Sequence, residues 1–470
     1  MGNSPHTPSI HILDNDSLIN VFFLYRSVIF DGYECDEVCI IGERGWNRER
    51  WWYKLAQVCQ RWRKLILGLP SYLSLCLFCT YGTPVADMLA YSPPLPLVID
   101  FFLGDWANSA EDEERVVLAL EQRHRIRRIR FRMPVPYMRK LIAAIEKEYP
   151  ALEYLIMVPV PADKNTALIL PETLQAPQLR HLELRCFALP LGCRLLTTVV
   201  GIVSLRLSID HRSAYFQPNT LVQRISLMPQ LETLVILFFI PILWNPNHVM
   251  ERELMHMTIV TRVTLPNLHW FEIKGVSDYI EAVVRRITTP RLERLVIQLP
   301  NQPTFSFPCL LKFMNATENL KFDGAKFQFS RNRVSVVLYP PQGPGMFALS
   351  ICGYCYRLDW QVSSVAQIFN LNSQISSMEK HLTLLHEVHS RSSEEHNEVN
   401  RTEWRKLLRS FSNVKTLRVD DGLVKELSRC LRPEDGELPL ELLPKLQELA
   451  YFGSDNTKIT HCTHARCRLA

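Results

Sequence analysis

Cysteine and histidine side chains are the residues of this sequence best suited to hold a metal ion. Two cysteine pairs have the C-x-x-C spacing of zinc ligands, at positions 76–79 and 352–355. A structural zinc site needs four ligands in a tetrahedral array, and these two pairs stand far apart in the chain. A third cluster could chelate a metal incidentally: His461, Cys462, His464 and Cys467. We expect no resident metal or other cofactor, and we expect most cysteines to be buried thiols.

Local signatures of catalysis are missing from the sequence. It contains no GxGxxG, P-loop, GxSxG or HExxH pattern, and these are the motifs of dinucleotide binding, phosphate binding, serine hydrolysis and zinc proteolysis. Histidines at positions 381, 386, 389 and 396 are dispersed through a polar stretch in which no carboxylate or cysteine pattern completes a ligand set. The sequence therefore predicts a protein that is not an enzyme.

An arginine-rich stretch from Arg123 to Arg132 could bind anions. Its apolar residues alternate with arginines as they would in a β-strand, which directs Arg128, Arg130 and Arg132 to one side. Two interpretations are open: a docking site near Arg128 and Arg130 for an acidic segment of a protein partner, or a solvated basic face. The net charge is only +5 and no aromatic residues are interleaved for base stacking, so we do not expect nucleic acid.

These arginines belong to a repeated pattern that has to position them. A six-residue phrase, apolar-x-x-apolar-x-apolar, recurs from 23 residues (Leu179 to Ile202) to 37 residues (Leu231 to Leu268) apart. A period in this range is typical of a solenoid. The last four residues of each phrase alternate as in a short, half-buried strand. The seven copies begin at Ile126, Leu152, Leu179, Ile202, Leu231, Leu268 and Leu292.

Helical patterns and prolines lie between the phrases. Residues 137–149 and 277–288 place apolar side chains on one helical face, and a proline precedes five of the phrases, where it ends a helix. Stacked units of helix, proline and strand bury a shared core. We therefore predict an α/β fold, a leucine-rich-repeat-like solenoid (horseshoe) over residues 76–455, with an irregular insertion at about 323–412. The alternative is a generic α/β domain in which the phrase recurs by chance.

The same register predicts a binding surface. Residues between the apolar phrase positions point away from the core, so they should line the concave side of the horseshoe. We expect this side to hold a protein substrate, one with an acidic segment in the interpretation above. The candidate residues are Arg128, Arg130, Arg132, Tyr154, His181, Arg206, Trp270 and Arg294.

The first 75 residues follow a different, all-helical pattern. An acidic or amide cap at positions 14–16 precedes apolar residues at helical spacing. A second predicted helix runs from about Arg50 to Leu67, with Gly68 and Pro70 ending it. A module of a few short helices cannot bury both faces of its helices, so an exposed stripe should bind a partner.

Within this segment the residues resemble a known family. The order Ile12-Leu13, an acidic cap, Leu18-Ile19-x-x-Phe22, Leu55-x-x-Val58-Cys59-x-x-Trp62-Arg63-x-x-Ile66 and Pro70-x-x-Leu73 is similar to an F-box, in the F-box-like form common in fungal proteins. The resemblance covers residues 10–75 closely and the rest only as architecture, because a leucine-rich-repeat region often follows an F-box. The chain departs from the family at Asp14, where proline is usual, and in an enlarged loop at 26–49.

The resemblance implies a function. F-box helices bind the Skp-type adaptor, and through it the cullin, of an SCF-type cullin-RING ubiquitin ligase, while the repeats hold the protein substrate. The chain would then be a substrate-recognition subunit; the alternative is a leucine-rich-repeat interaction scaffold without ubiquitin-ligase association. The adaptor contacts carried over by the resemblance are Ile12, Leu13, Leu18, Ile19, Phe22, Leu55, Val58, Cys59, Trp62, Ile66 and Leu73.

The sequence also predicts the bounds of the segments and the cellular compartment of the protein. We expect a disordered N-terminus at 1–9, the F-box-like module at 10–75, the solenoid at 76–455 and a flexible tail at 456–470. The longest apolar run, Leu234 to Trp244, is too short for a membrane span and contains Pro241. No signal peptide opens the sequence, so we expect the protein in the cytoplasm and/or nucleus.

Overall fold

The chain divides into two compact units. Unit 1 comprises Met1–Asp163, Leu170–His181 and Pro190–Thr198, and unit 2 comprises Lys164–Ile169, Leu182–Leu189 and Val199–Ala470. The computed structural model describes residues 13–30, 51–70, 73, 75–102, 110–160, 168–188, 193–210, 216–239, 262–299, 307–320, 322–340, 347–354, 358–370, 380–387, 401–431, 442–452 and 459–463.

Unit 1 opens with three helices: α1 (Asn15–Phe30), α2 (Trp51–Ala56) and α3 (Gln60–Gly68). The carboxylate of Asp14 caps α1, since its Oδ1 accepts a hydrogen bond from the backbone N–H of Ser17 at 2.7 Å. Hydrogen bonds from Ser17 also hold the pKa of Asp14 below its ordinary value. The single helix predicted from Arg50 to Leu67 is instead split, because the chain turns between α2 and α3.

A parallel sheet follows in unit 1. Its strands are β1 (Leu77–Cys79), β2 (Leu97–Phe101), β3 (Ile126–Met133) and β4 (Tyr154–Pro159), and each pairs with the next in parallel. Helices α4 (Val85–Tyr91), α5 (Ala110–Leu120) and α6 (Val135–Ala144) make the crossovers that parallel pairing requires. The repeated unit therefore starts two strands before the first phrase found in the sequence.

Unit 2 is built on a longer sheet. Two short parallel pairs lie outside it, β5 (Leu168–Ile169) with β7 (Phe187–Ala188) and β10 (Val263–Thr264) with β12 (Ile287–Thr288). Strand β6 (His181–Arg185) crosses the boundary between the units at its first residue. The remaining strands are β8 (Ser204–Ile209), β9 (Thr233–Phe238), β11 (Trp270–Lys274), β13 (Arg294–Leu299), β14 (Gly324–Ser330), β15 (Arg333–Tyr339), β16 (Leu349–Gly353), β17 (His381–Glu387), β18 (Thr416–Asp420), β19 (Glu448–Phe452) and β20 (Ile459–Thr463).

The phrases stack in register in this sheet. Strands β8, β9, β11, β13 and β16 pair successively in parallel, and Leu234, Phe271 and Leu295 lie directly opposite one another. All three side chains are fully buried. Equivalent positions of successive phrases thus share one core, which confirms an α/β fold with a long parallel sheet, consistent with a leucine-rich-repeat solenoid.

Helices cover the core side of the unit 2 sheet. The ring of Tyr279 meets the ring of Phe238 from β9 edge-on, with centroids 4.8 Å apart. Phe238 lies on the same side of β9 as the phrase residues Leu234 and Ile236, so this side faces the helices. The helices are α7 (Pro218–Ile225), α8 (Ser277–Val284), α9 (Pro308–Asn315), α10 (Leu358–Asn370), α11 (Arg401–Arg409) and α12 (Val424–Leu431).

An irregular insertion was expected at about 323–412, and the described residues of this stretch include regular elements. This stretch contributes β14 to β17 to the sheet, together with α10 and α11. Strand β15 runs antiparallel to both of its neighbours, β14 and β16, so a hairpin replaces one helical crossover. Parallel pairing resumes from β14 through β17 and β18 to β19.

Of the flexible tail expected at 456–470, the structure describes residues 459–463. Residues Ile459–Thr463 form β20, which pairs antiparallel with β19. The segment 1–9, most of the enlarged loop at 26–49, and the remaining tail positions lie outside the described residues, as do Cys355, His389 and His396.

Candidate protein-binding surfaces

Helix α1 carries apolar side chains on both of its faces. Leu18 and Phe22 are fully buried, and the Phe22 ring contacts the Trp62 ring of α3 edge-on at 5.0 Å between centroids. Beside this face Val21, Leu24 and Tyr25 are exposed, Leu24 by 62%, and the Tyr25 ring also lies 6.4 Å from the Trp51 ring of α2 between centroids. Because residues three and four apart share a helical face, these three form one continuous strip, called here the α1 stripe.

Five of the eleven expected adaptor contacts are buried by this packing. Side chains of α1 and α3 cover each other, so their apolar surface is consumed inside the module rather than offered to a partner. The buried ones are Leu18, Phe22, Trp62, Ile66 and Leu73. Ile19, Leu55 and Cys59 are partly exposed. Leu13 and Val58 are exposed, Val58 by 57%, and Ile12 lies outside the described residues.

The α1 stripe was missed by motif matching. The run Leu18 to Tyr25 is apolar at every position except Asn20, and a helix that is apolar all round must cover both faces. This apolar composition is the one feature of the sequence that indicates the α1 stripe. Which face packs internally depends on α3, and only the structure shows it.

In each unit, one face of the sheet packs against the core and the other points away from it. We call the face that points away the second face; it is formed by the residues between the apolar phrase positions. In unit 1 this face contains Arg128, Arg130 and Arg132 from β3. Arg130 lies directly opposite Asp100 on β2 and donates from Nη1 to Asp100 Oδ2 at 2.7 Å. Only 8% of Arg130 is exposed. Its charge is neutralised inside the protein by Asp100, which argues against the expectation that Arg130 receives an acidic segment.

Other arginines of the same stretch are also engaged within unit 1. Arg127 pairs with Glu153 at 2.7 Å, and the hydrogen bond that it donates to Glu153 raises the pKa of Arg127 above its ordinary value. Arg128 lies over the Tyr154 ring at 4.7 Å, and that ring stacks on His181 at 4.0 Å between centroids. Arg132 is exposed. The stretch therefore stabilises this unit through internal contacts more than it offers cations to a partner.

The second face of unit 2 brings together three of the predicted residues. The guanidinium of Arg206 lies over the Trp270 ring at 4.8 Å, and that of Arg294 lies over the same ring at 4.5 Å. Arg294 also lies over the Phe347 ring at 4.1 Å. Strand β8 is on one side of β11 and β13 is on the other, so arginines approach Trp270 from both sides. We call Arg206, Trp270 and Arg294 the arginine clamp.

Ionisable groups next to the clamp are partly desolvated. Glu272 accepts a hydrogen bond from the Gln298 amide at 2.9 Å, and burial raises the pKa of Glu272 despite the nearby charges of Arg206 and Arg294. In the next row, the Lys274 ammonium lies 3.7 Å from the centroid of the Phe239 ring. Burial lowers the pKa of Lys274.

Comparison with known proteins does not establish a family for this chain. No protein-family model matches the chain. No curated protein matches it either. Among solved structures, the chain is similar to the leucine-rich repeat-containing protein LegL7 from Legionella pneumophila, with 12% sequence identity and a TM-score of 0.27 over 82% of this chain and 93% of LegL7. A likeness at that level carries no argument, so the repeat fold rests on the strand register of this chain, and the F-box resemblance rests on residues 10–75 alone.

The described part of the chain shows neither a metal-binding cluster nor a helix that could span a membrane. There, no group of three or more His, Cys, Asp or Glu side chains could hold a metal ion. Cys76, Cys79 and Cys352 are not in disulfide bonds. None of the helices seen in those residues is long and apolar enough to cross a membrane.

Proposed function

We propose that the chain is a protein-interaction scaffold in which the α1 stripe docks one protein and the second face of the repeat sheet binds another. The observation that carries the proposal is the exposure of Val21, Leu24 and Tyr25 beside a fully packed internal face. Large apolar side chains concentrated on one strip of a surface are typical of an interaction site.

The energetics favour a partner for the stripe. Burying one large aliphatic side chain from water contributes about 1.5–3 kcal/mol, so the stripe offers several kcal/mol before the entropy of association is subtracted. Val58 adds a further exposed apolar side chain in the turn between α2 and α3. An amphipathic helix of a partner fits such a strip through side chains spaced three and four residues apart.

The test replaces Leu24 with Asp in the full-length chain. Partners recovered with the wild-type protein should be lost with Leu24→Asp, measured by quantitative mass spectrometry of the recovered complexes. Tyr91→Asp is the matched control, since Tyr91 is an exposed aromatic residue on a different helix of unit 1. Equal recovery with Leu24→Asp and Tyr91→Asp would refute docking through the α1 stripe.

A second, narrower candidate identifies the docked protein as a Skp-type adaptor. In that case the chain is a substrate-recognition subunit of an SCF-type cullin-RING ubiquitin ligase. The VC-x-x-WR order at Val58 to Arg63 supports it, and so does the exposure of Leu13 and Val58. The acidic cap at Asp14 takes the place of the family's proline, and it starts α1 by accepting a hydrogen bond instead.

Purified Skp-type adaptor tests this candidate directly. The full-length chain should bind it in isothermal titration calorimetry, and Leu24→Asp or Val58→Asp should weaken binding at least about tenfold, as expected for residues at the centre of an interface. Tyr91→Asp should leave the affinity unchanged. Absence of binding by the wild-type chain would reject the ligase-subunit candidate, while the scaffold proposal would stand on its own test.

A further inference from the structure

We propose that the second face of unit 2 binds an acidic segment of a protein partner, with a carboxylate received by Arg206 beside Trp270. The inference rests on the proposed scaffold function and names the partner chemistry of its sheet surface. It also moves the acidic-segment site from unit 1, where Asp100 already neutralises Arg130, to the arginine clamp.

The charge on this face favours an anionic partner. Side chains of β8, β9, β11 and β13 that point to it include three cations, Arg206, Lys274 and Arg294, and one carboxylate, Glu272. A second carboxylate, Asp210, directly follows β8 and interacts electrostatically with Lys274, so the cations exceed the carboxylates by one. Glu272 already accepts a hydrogen bond from Gln298. Arg206 has no ion pair or hydrogen bond within the described residues, so its charge is uncompensated by direct contact there.

The geometry of Arg206 suits a carboxylate. The flat face of its guanidinium lies over the Trp270 ring. The N–H groups at the edge of the guanidinium plane therefore remain able to donate hydrogen bonds to a ligand. Two parallel N–H groups match the two oxygens of a carboxylate. Because the ring fixes the long side chain in advance, less conformational entropy is lost when the partner binds.

Trp270 supplies a second reason for a ligand. The residue is more than nine-tenths buried, and its indole N–H has no hydrogen-bond partner among the residues that the structure describes. Buried donors are usually satisfied. Tryptophan and arginine are also the residue types that most often dominate the affinity of protein interfaces.

A peptide segment fits this face better than a nucleic acid does. Binding to nucleic acid depends on a track of many phosphate contacts, whereas here Glu272 lies between Arg206 and Arg294 and would repel a continuous phosphate backbone. Valines at positions 235 and 296 flank Glu272 in the same row. An acidic residue with apolar neighbours therefore matches the alternation of charge and apolar surface on this face.

A defined peptide provides the test with the full-length protein. The probe is a fluorescein-labelled Glu-Glu-Leu-Glu-Glu-Leu peptide, followed by fluorescence anisotropy at physiological ionic strength, with its Gln-Gln-Leu-Gln-Gln-Leu counterpart as the uncharged comparison. We expect the acidic peptide to bind at least about tenfold more tightly than the neutral one, and Arg206→Gln to remove that difference. Arg206→Lys should restore part of it, because it keeps the charge but not the bidentate fork.

The matched control is Arg285→Gln, an exposed arginine at the end of α8 on the helix side of unit 2. It changes net charge equally and should leave the affinity unchanged. Loss of affinity equal to that of Arg206→Gln would show non-specific attraction and overturn the proposal. So would failure of the acidic peptide to bind, or a labelled single-stranded oligonucleotide that binds more tightly and depends on Arg206.

The result is separable from the scaffold proposal. Leu24→Asp lies in unit 1 and should leave peptide binding intact, so loss of docking through the α1 stripe and loss of the acidic-segment site give different patterns. Thermal unfolding of Arg206→Gln, compared with Arg206→Lys, shows whether weaker binding reflects lost folding. Binding that is unchanged in a folded Arg206→Gln protein would refute the inference.

Discussion

Arg130 and Asp100 face each other on adjacent strands of unit 1 and form an ion pair of 2.7 Å that is almost completely shielded from water. Asp100 also accepts a hydrogen bond from the backbone N–H of Phe102 through its other oxygen, at 3.0 Å. The Phe102 ring lies 4.8 Å from the Arg130 guanidinium. Both charges are thus satisfied locally, and the arginine acts in the structure of the sheet rather than in binding.

Removing Asp100 should destabilise the protein strongly. Asp100→Ala leaves a buried guanidinium without a counter-charge, which costs about 3–5 kcal/mol of unfolding free energy. Glu153→Ala breaks the more exposed pair with Arg127 and should cost at most about 1 kcal/mol. Chemical unfolding followed by circular dichroism measures both. Similar losses in the two variants would contradict the structural role of the Asp100–Arg130 pair.

The register of the central strands could be predicted because the phrase shows which residues of each strand face the core. Leu234, Phe271 and Leu295 are the fourth residues of their phrases, and they lie opposite one another in the sheet. Each has one polar neighbour on the other side of its strand, namely Thr233, Glu272 and Arg294, so part of the alternation was visible in the sequence.

Strand β2 (Leu97–Phe101) could not be found in the same way. All five of its residues are buried, and a strand covered on both faces has no alternation to detect. Without β2, the partner of Arg130 was unknown, since Asp100 stands thirty positions earlier in the chain. Hairpin β14–β15 was missed for a different reason: its residues alternate, but they do not contain the leucine-rich phrase that was searched for.

The sequence alone also does not show which residues of a helix are exposed. The pattern from Leu18 to Tyr25 shows that α1 is apolar on both faces, but it does not say which face packs on α3. The contact between Phe22 and Trp62 decides that question. On α1, the family resemblance predicts adaptor contacts at Leu18 and Phe22, which are buried inside the module. The α1 stripe consists of nearby residues of the same helix.

Glu281 connects two successive helices of unit 2, and its loss should weaken the second one. Its carboxylate oxygens accept hydrogen bonds from the backbone N–H groups of Cys309 and Leu310 at 2.7 and 2.8 Å. These follow Pro308, which has no N–H, at the start of α9. Glu281→Ala should lower the unfolding free energy by about 1 kcal/mol, the usual value of a helix cap.

Two comparison variants make that prediction specific. Glu281→Gln keeps acceptor capacity but loses the negative charge at the positive end of the α9 dipole, so it should cost less than Glu281→Ala. Glu318→Ala removes an exposed carboxylate that lies after α9 and should change stability little. If Glu281→Ala is no more destabilising than Glu318→Ala in urea unfolding, the inter-helix cap is not significant.

Cys186 should be unreactive in the folded protein. Burial raises the pKa of its thiol to about 12, and a hydrogen bond to Asp210 acts in the same direction. The Sγ–Oδ2 distance is 2.7 Å. Since the thiolate is the reacting form, alkylation by iodoacetamide at pH 8 should be slower than for an ordinary thiol by on the order of a thousandfold. Mass spectrometry before and after urea denaturation measures this, and rapid labelling of the native protein would contradict it.

Glu272 should make stability depend on pH in a predictable direction. Burial raises its pKa in the folded protein above the ordinary value of 4.5, so the folded state holds the proton more tightly than the unfolded state does. Its contribution to stability is therefore fully present below about pH 4.5 and is lost as the pH rises through the folded-state pKa.

Glu272→Gln removes this dependence while keeping an acceptor for Gln298. Melting temperatures of the variant and the wild type should agree near pH 4, and the variant should become the more stable of the two as the pH rises toward 7, because only the wild type then carries a partly buried carboxylate. Glu293→Gln, at an exposed position, controls for the change in net charge. A wild-type advantage that grows with pH would mean that attraction to Arg206 and Arg294 outweighs desolvation at this site.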